Sequence, residues 1–280
     1  YYGSYWIGSM RFQIDPNDRK PLGRTGETVP AIGIGTWRIN NYSMAETALI
    51  RAIEVGMNLI DTAEMYANGE AEKLVGRVCR IIGRDRVFIV TKILPDRFSD
   101  QSKVIKALEA SLRRLGTSYV DLVLIHWPRP GISIEKQIQF LEATVEAGMA
   151  RFIGVSNFGV ENLSRAIRAT KKHEIVANQV KYSVLDKQVE KDLLGFSIEN
   201  KILIQAYTPL EWGGVAKNET VISIAKKYGK TPIQVALNYL ISRPMVMAIP
   251  KTERVERVEE FRGSMGWRLG AEDIEILEKI

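Results

Sequence analysis

From residue 31 onward the chain repeats one pattern, in which a short apolar run is followed by a stretch whose apolar residues recur every three to four positions. The runs at 31–35, 59–60, 87–91, 120–125, 152–155, 176–180, 202–206 and 246–249 have the length and β-branched content of buried strands. Helical spacing marks 45–54, 71–82, 102–115, 134–147, 160–169 and 189–200, then 219–228 and 232–242. Ala48, Leu49, Ala52 and Ile53 show the periodicity in the first of these. Strands alternating with helices imply a parallel sheet covered by helices. Eight such repeats predict an α/β protein of the closed (β/α)8 type, a TIM barrel, in preference to an open doubly wound sheet. Upstream, strand-like pieces around 11–14 and 20–22, with Asp15-Pro16-Asn17-Asp18 as the turn between them, predict an N-terminal β-hairpin within residues 11–30 that plugs the underside of the barrel. Downstream, 271–280 predicts an extra C-terminal helix. No linker or low-complexity segment interrupts the pattern, so residues 1–280 read as a single domain.

Where the apolar runs end, titratable residues begin. Asp61 closes the second strand and Tyr66 follows on the same loop, Lys92 closes the third strand and His126 closes the fourth. The C-terminal strand ends of a (β/α)8 barrel are where its catalytic groups stand, so these four meet at one mouth. The ammonium of Lys92 is expected to lower the Tyr66 phenol below its usual value, Asp61 to hold Lys92 charged, and His126 to donate to or orient a substrate oxygen. Such a site protonates a carbonyl oxygen as it becomes an alkoxide, and it needs a hydride from elsewhere. A Schiff base on Lys92 is the competing chemistry. The Rossmann fingerprint is absent, because Gly33 and Gly35 are followed by Thr36, Trp37 and Arg38 with no third glycine opening a helix.

Composition narrows the field without changing it. The formal charge of +6 is spread along the chain, which fits a solvated surface better than a nucleic-acid face. Cys79 is the only cysteine, so no intrachain disulfide forms; it falls on an apolar helix face as a core thiol, and a reducing, cytoplasmic setting is expected. No apolar run approaches the ~18 residues of a spanning helix, so no membrane partner is expected. His173, beside Lys171 and Lys172, reads as a helix-surface residue; only His126 is left at the site and no metal is expected. The first nine residues, YYGSYWIGS, lack the features of a signal peptide. They read either as an appended segment before Met10 or as a native apolar flap that brings Trp6 to the pocket.

Three segments resemble signature motifs of the aldo-keto reductases: Gly56 to Tyr66 (GMNLIDTAEMY), Thr91-Lys92, and Leu124 to Pro128 (LIHWP). The likeness extends from Leu22 to Ile280 and is closest to archaeal members acting as alcohol dehydrogenases or as aldehyde and ketone reductases. The resemblance implies Tyr66 as general acid, with Asp61, Lys92 and His126 completing a catalytic tetrad. It also implies NADP(H) as preferred cofactor, with NAD(H) as the alternative. Thr36, Trp37 and Asp61 join the cofactor contacts on this basis. Ser156, Asn157 and Gln179 match the grip on the nicotinamide carboxamide, and Tyr207 the aromatic stacked on its ring. Thr208, Pro209 and Leu210, with the following Glu211-Trp212-Gly213-Gly214, match the loop over the pyrophosphate. Lys251, Thr252 and Arg257 match the family's hold on the 2′-phosphate, although taken alone Thr252 reads as a helix cap. Glu260 matches an adenine contact, but Phe261 stands where the family has Asn. The implied substrate is a small aldehyde or ketone, or the corresponding alcohol, in a pocket walled by Trp37, Tyr66, His126 and Trp127, with Phe158 and Trp212 nearby. With the sequence reaching Ile280 straight after its last helical run, an open pocket of broad use is expected, in a chain that is monomeric or weakly dimeric.

Overall fold

The structure is a computed structural model and describes residues 12–280. The expected strand start at Arg11 and the flap with Trp6 fall outside the described residues. Two short strands, β1 (Arg19–Pro21) and β2 (Thr28–Pro30), pair antiparallel as the hairpin. Eight further strands follow: β3 (Ile34–Gly35), β4 (Leu59–Asp61), β5 (Phe88–Ile93), β6 (Val120–Ile125), β7 (Ala150–Ser156), β8 (Ile175–Lys181), β9 (Leu203–Tyr207) and β10 (Val246–Ala248). They form one parallel sheet in sequential order. Bridges from Ile32 to Ala248 and from Gly35 to Lys251 join the first strand to the last, with the Gly33 amide donating to the Ala248 carbonyl at 2.9 Å. The expected (β/α)8 barrel is therefore present and closed on itself. Gly33 is required where the sheet is tightest, because a Cβ there would lie 2.8 Å from the Leu59 carbonyl oxygen.

The helices are α1 (Tyr42–Glu54), α2 (Glu70–Ile82), α3 (Gln101–Leu115), α4 (Ile134–Glu146), α5 (Val160–Ala169), α6 (Leu193–Glu199), α7 (Glu219–Tyr228), α8 (Pro232–Ile241), α9 (Val255–Arg262) and α10 (Ala271–Glu278). Their starts follow from local chemistry. Asn41, Asp100, Ser133 and Asn218 accept from amides in the first turns of α1, α3, α4 and α7, and Thr231 with Gln234 forms a capping box on α8. The apolar faces of these helices bury against the outside of the sheet, Cys79 of α2 among them. Inside the barrel, Leu59, Val90, Leu122, Val176, Leu203 and Met247 pack with Leu22 and Val29, so the hairpin does plug the barrel. Lys20, fully buried in that plug, donates to the Ile241 carbonyl at 2.5 Å and to Asp15 at 2.7 Å.

Four local expectations are corrected. The hairpin turn is not Asp15–Asp18 but residues 22–27, where Gly23 and Gly26 take φ of +55° and +83° that other residues resist. Asp15 instead turns its carboxylate onto the Asn17 amide and Lys20. The helix expected at 189–200 breaks into a 3₁₀ turn, Gln188–Glu190, and α6. Glu190 is drawn inward there to accept from Tyr182, Tyr239 and Arg243. Thr252 does not cap α9, whose flanking residue is Arg254; the Thr252 hydroxyl accepts from the Arg254 amide at 3.0 Å. His173 sits in the loop after α5, its Nε2 2.6 Å from Glu146.

Candidate active site

Each strand delivers one polar group to the same end of the barrel. Asp61 is the last residue of β4, Lys92 the last but one of β5, and His126 follows β6. Tyr66 opens a 3₁₀ turn, Tyr66–Gly69, after β4. Lys92 is completely buried, and its Nζ lies 2.8 Å from Asp61 Oδ2, 2.9 Å from the Thr62 carbonyl and 2.9 Å from Tyr66 Oη. An ammonium has three hydrogens, and all three are engaged. The phenol therefore accepts from Lys92, which leaves its own hydrogen to point elsewhere.

Electrostatics sharpen these roles and correct one. Burial holds the Tyr66 phenol above its ordinary value, against the opposing pull of Lys92, so the expected lowering is not what the folded site produces. Burial also works against the charge on Lys92, but Asp61 and Tyr66 outweigh it and the ammonium is held protonated. His126 is pushed down to about 3 by burial and then by the Lys92 charge, so its ring is neutral at physiological pH. Its Nδ1 is buried with no partner, leaving Nε2 as the ring's available polar atom. Trp127 stacks on the ring at 3.9 Å between centroids and 9° between planes.

Behind the four groups lies a second layer. Gln179 Nε2 donates to Asp61 Oδ1 at 2.7 Å and to Gln205 Oε1 at 3.0 Å, so both amide hydrogens are spent and Oε1 is the atom free for the cleft. The Ser156 hydroxyl donates to the Gln179 carbonyl at 2.8 Å. Asn157 donates to the His126 carbonyl at 3.1 Å and accepts from the Tyr207 hydroxyl at 2.7 Å. Thr36 is buried, its hydroxyl donating to the Asp61 carbonyl at 2.9 Å.

A cleft of about 620 Å³ opens above these groups. Its wall brings together Trp37, Asp61, Tyr66, His126, Trp127, Ser156, Asn157, Gln179, Tyr207, Thr208, Pro209, Leu210 and Lys251. Thr36, Thr252, Arg257 and Glu260 are not in that wall. Phe158 is buried in the core beside Asn178, and so drops out as a pocket residue. Sequence reasoning missed Arg38, Met65, Lys181 and Ile249 in the wall, and Gln205 beneath it. Gln205 left one signal, a lone amide inside the apolar run ILIQA.

At the rim, Trp37 and Trp212 meet at 5.2 Å, and the Arg38 guanidinium lies 4.4 and 4.8 Å from the two ring centroids. Trp212 belongs to a loop in which Thr208, Glu211 and Trp212 all take positive φ, an unusual concentration of left-handed non-glycine residues. Glu211 ties that loop down by accepting from the Ser183 hydroxyl at 2.7 Å. Lys251, in the cleft wall, lies 3.2 Å from Glu253, while Arg257 lies 2.6 Å from Glu260. Among the described residues no cluster of three or more His, Cys, Asp or Glu side chains is placed to hold a metal ion, and no helix is long and apolar enough to cross a membrane.

Barrel and site together define an enzyme that holds a buried lysine–aspartate pair against a phenol at the floor of an aromatic-rimmed cleft. The model of the Aldo/keto reductase family matches residues 31–280, and the chain belongs to that family. It is 36% identical over 261 residues to the methylglyoxal reductase YeaE of Escherichia coli (strain K12), spanning 90% of this chain and 91% of that one. Among solved structures it resembles a thermostable aldo-keto reductase, Tm1743, in complex with the inhibitor epalrestat. That match has a TM-score of 0.87 at 38% identity and covers 93% of this chain and 98% of the other. An aldo/keto reductase from Klebsiella pneumoniae in complex with NADP and acetate matches at a TM-score of 0.87 and 33% identity, over 94% of this chain and 95% of that one.

Proposed function

We propose that this protein is an NADPH-preferring reductase of small aldehydes and ketones, dicarbonyls such as methylglyoxal included, that runs in reverse as an alcohol dehydrogenase. The carrying observation is the hydrogen bond from Lys92 to Tyr66. With its lone pair on the ammonium, the hydroxyl presents its proton to the cleft. Neutral His126 offers Nε2–H to the same substrate oxygen and adds no charge that would compete for that proton. Trp37, Trp127 and Met65 line the cleft beside these groups, and their apolar surfaces would strengthen both hydrogen bonds once a substrate covers them. In the reverse direction the same phenol takes the hydroxyl proton of an alcohol.

The cleft suits a nicotinamide nucleotide, because one continuous wall runs from Tyr66 and His126 to Lys251. A reduced nicotinamide, when bound, supplies hydride to the carbonyl carbon. Gln179 Oε1, Ser156 and Asn157 would hold its carboxamide and Tyr207 its ring face. Thr208, Pro209 and Leu210 would cover the pyrophosphate. Lys251, Thr252 and Arg257 would hold the 2′-phosphate, and NADP- and NADPH-bound Klebsiella relatives support that preference. Schiff-base chemistry on Lys92 is disfavoured, since its nitrogen is buried and held protonated by Asp61 and Tyr66. We read the protein as cytoplasmic.

Replacing Tyr66 by Phe tests the assignment. Turnover of methylglyoxal with NADPH is expected to fall by about 10²–10⁴ while the NADPH dissociation constant stays within twofold. Retained turnover refutes Tyr66 as the acid.

A further inference from the structure

The cations assigned to the 2′-phosphate do not stand alone, for each carries an acid. The Arg257 guanidinium is paired with Glu260 one helical turn on, and Lys251 with Glu253 two residues away. Glu253 differs from Glu260 in how it is held. Its carboxylate also accepts from the backbone amides of Asn40 and Asn41, the latter at 3.3 Å, at the N-terminal end of α1. A helix N-terminus favours an anion, and backbone amides cannot swing away as a lysine side chain can. Burial opposes its charge, but the Asn40 amide and Lys251 outweigh burial, so the group sits below the ordinary glutamate value and is ionised at neutral pH. When Lys251 turns toward a phosphate, the carboxylate stays where it is.

We infer that Glu253 sets the margin by which this chain prefers NADP(H) over NAD(H). A fixed negative charge beside Lys251 takes back part of the attraction offered to a 2′-phosphate. It costs a neutral ribose hydroxyl nothing. The preference of the wild type is then smaller than the two cations Lys251 and Arg257 suggest. Glu253 is in this sense a specificity-determining residue, although it lies outside the wall of the cleft. The inference rests on Lys251 as a phosphate contact.

The test is equilibrium titration of tryptophan fluorescence with NADPH and with NADH, no carbonyl present. The proteins are the wild type, Glu253→Gln, Lys251→Met and the double variant. Glu253→Gln keeps an acceptor oxygen for the Asn40 and Asn41 amides while removing the charge. Its dissociation constant for NADPH is expected to fall about five- to tenfold with NADH unchanged, and the gain to shrink at high salt. On the Lys251→Met background the charge still repels a phosphate, but the gain diminishes because the displaced ion pair is gone. An unchanged ratio of the two dissociation constants overturns the inference, and so does equal weakening of both nucleotides, which means Glu253 only orders the start of α1. If Lys251→Met leaves NADPH binding untouched, the phosphate reading of that lysine fails instead.

Discussion

Breaking the Lys92–Asp61 pair from one side only is expected to destabilise the protein far more than removing both charges. The two side chains are 0% and 3% exposed and 2.8 Å apart. Lys92→Met leaves the Asp61 carboxylate in the barrel with Gln179 as its remaining side-chain donor. Stranding one charge of a buried pair costs about 3–5 kcal/mol, whereas losing both charges is often close to neutral. Adding Asp61→Asn removes the stranded charge and keeps an oxygen for Gln179 Nε2. The Thr62 carbonyl and Tyr66 hydroxyl still lose a donor. The double variant should therefore lie only about 1–2 kcal/mol below wild type. In melting temperature the single change corresponds to a drop of roughly 6–20 °C. The deficit has a pH signature. In Lys92→Met the folded Asp61 carboxyl, already raised above 3.8 by burial, loses the ammonium that opposed that rise. A raised acid favours the folded state at low pH and loses that contribution as pH climbs through the folded value. The single variant is accordingly least impaired in acid and most impaired at neutral pH and above. Guanidinium melts followed by circular dichroism at about pH 5 and about pH 8 read this out directly. Turnover is expected to be lost in both variants, which separates chemistry from stability. A single variant no less stable than the double, or a deficit indifferent to pH, refutes the buried-pair argument.

Trp212→Ala removes the ring that meets Trp37 and Arg38 across the cleft, contacts together worth about 1–2 kcal/mol. The dissociation rate of NADPH, measured by stopped-flow displacement, should rise about 5- to 30-fold; an unchanged rate means the rim does not restrain the nucleotide. Lys20 is lowered from 10.5 to about 8, with burial the leading cause. Between those values the unfolded chain binds more protons than the folded one, so this residue makes stability rise with pH across that window, by roughly 3 kcal/mol. The stability difference between wild type and Lys20→Met should move by that amount in favour of wild type from pH 8 to 10.5, and a constant difference contradicts the burial of its charge.

The barrel was legible because its signal is local. Each strand is an apolar run and each helix a periodic stretch, and both can be read within a dozen residues. Asp61, Lys92 and His126 were legible for the same reason, since a titratable residue at the end of an apolar strand is conspicuous before any partner is known. What escaped depends on partners far along the chain. The bond from Gln179 to Gln205 depends on the register in which β8 pairs with β9, while the clasp of Arg38 on Trp212 and the seat of Glu253 on Asn40 join residues that the closure of the barrel brings together. The misplaced hairpin turn is a different failure. Asp-Pro-Asn-Asp is sound turn chemistry, but Gly23 and Gly26 offered positive φ as well, and pairing of Arg19 with Pro30 fits the second choice.

The sign of the Tyr66 shift changes what Lys92 is for. A lysine beside a tyrosine suggests a phenol made more acidic, yet burial holds this one above its ordinary value. That leaves its proposed role as the acid intact. In the proposed reaction the base it protonates is an alkoxide forming on the substrate, a stronger base than a phenolate. A phenol is ordinarily the stronger acid of the two, and the Lys92 ammonium stabilises the phenolate that the transfer would leave. The phenol also stays protonated, and ready to donate, over the whole physiological range. Lys92 then serves chiefly by direction. It occupies the lone pair of the hydroxyl, turns the proton toward the cleft, and stands ready to compensate the phenolate once the proton has gone. Asp61 keeps the ammonium charged at a depth where it would otherwise surrender its proton. On the proposed mechanism the two buried charges are thus the fixed scaffold on which a weak, well-aimed acid would operate.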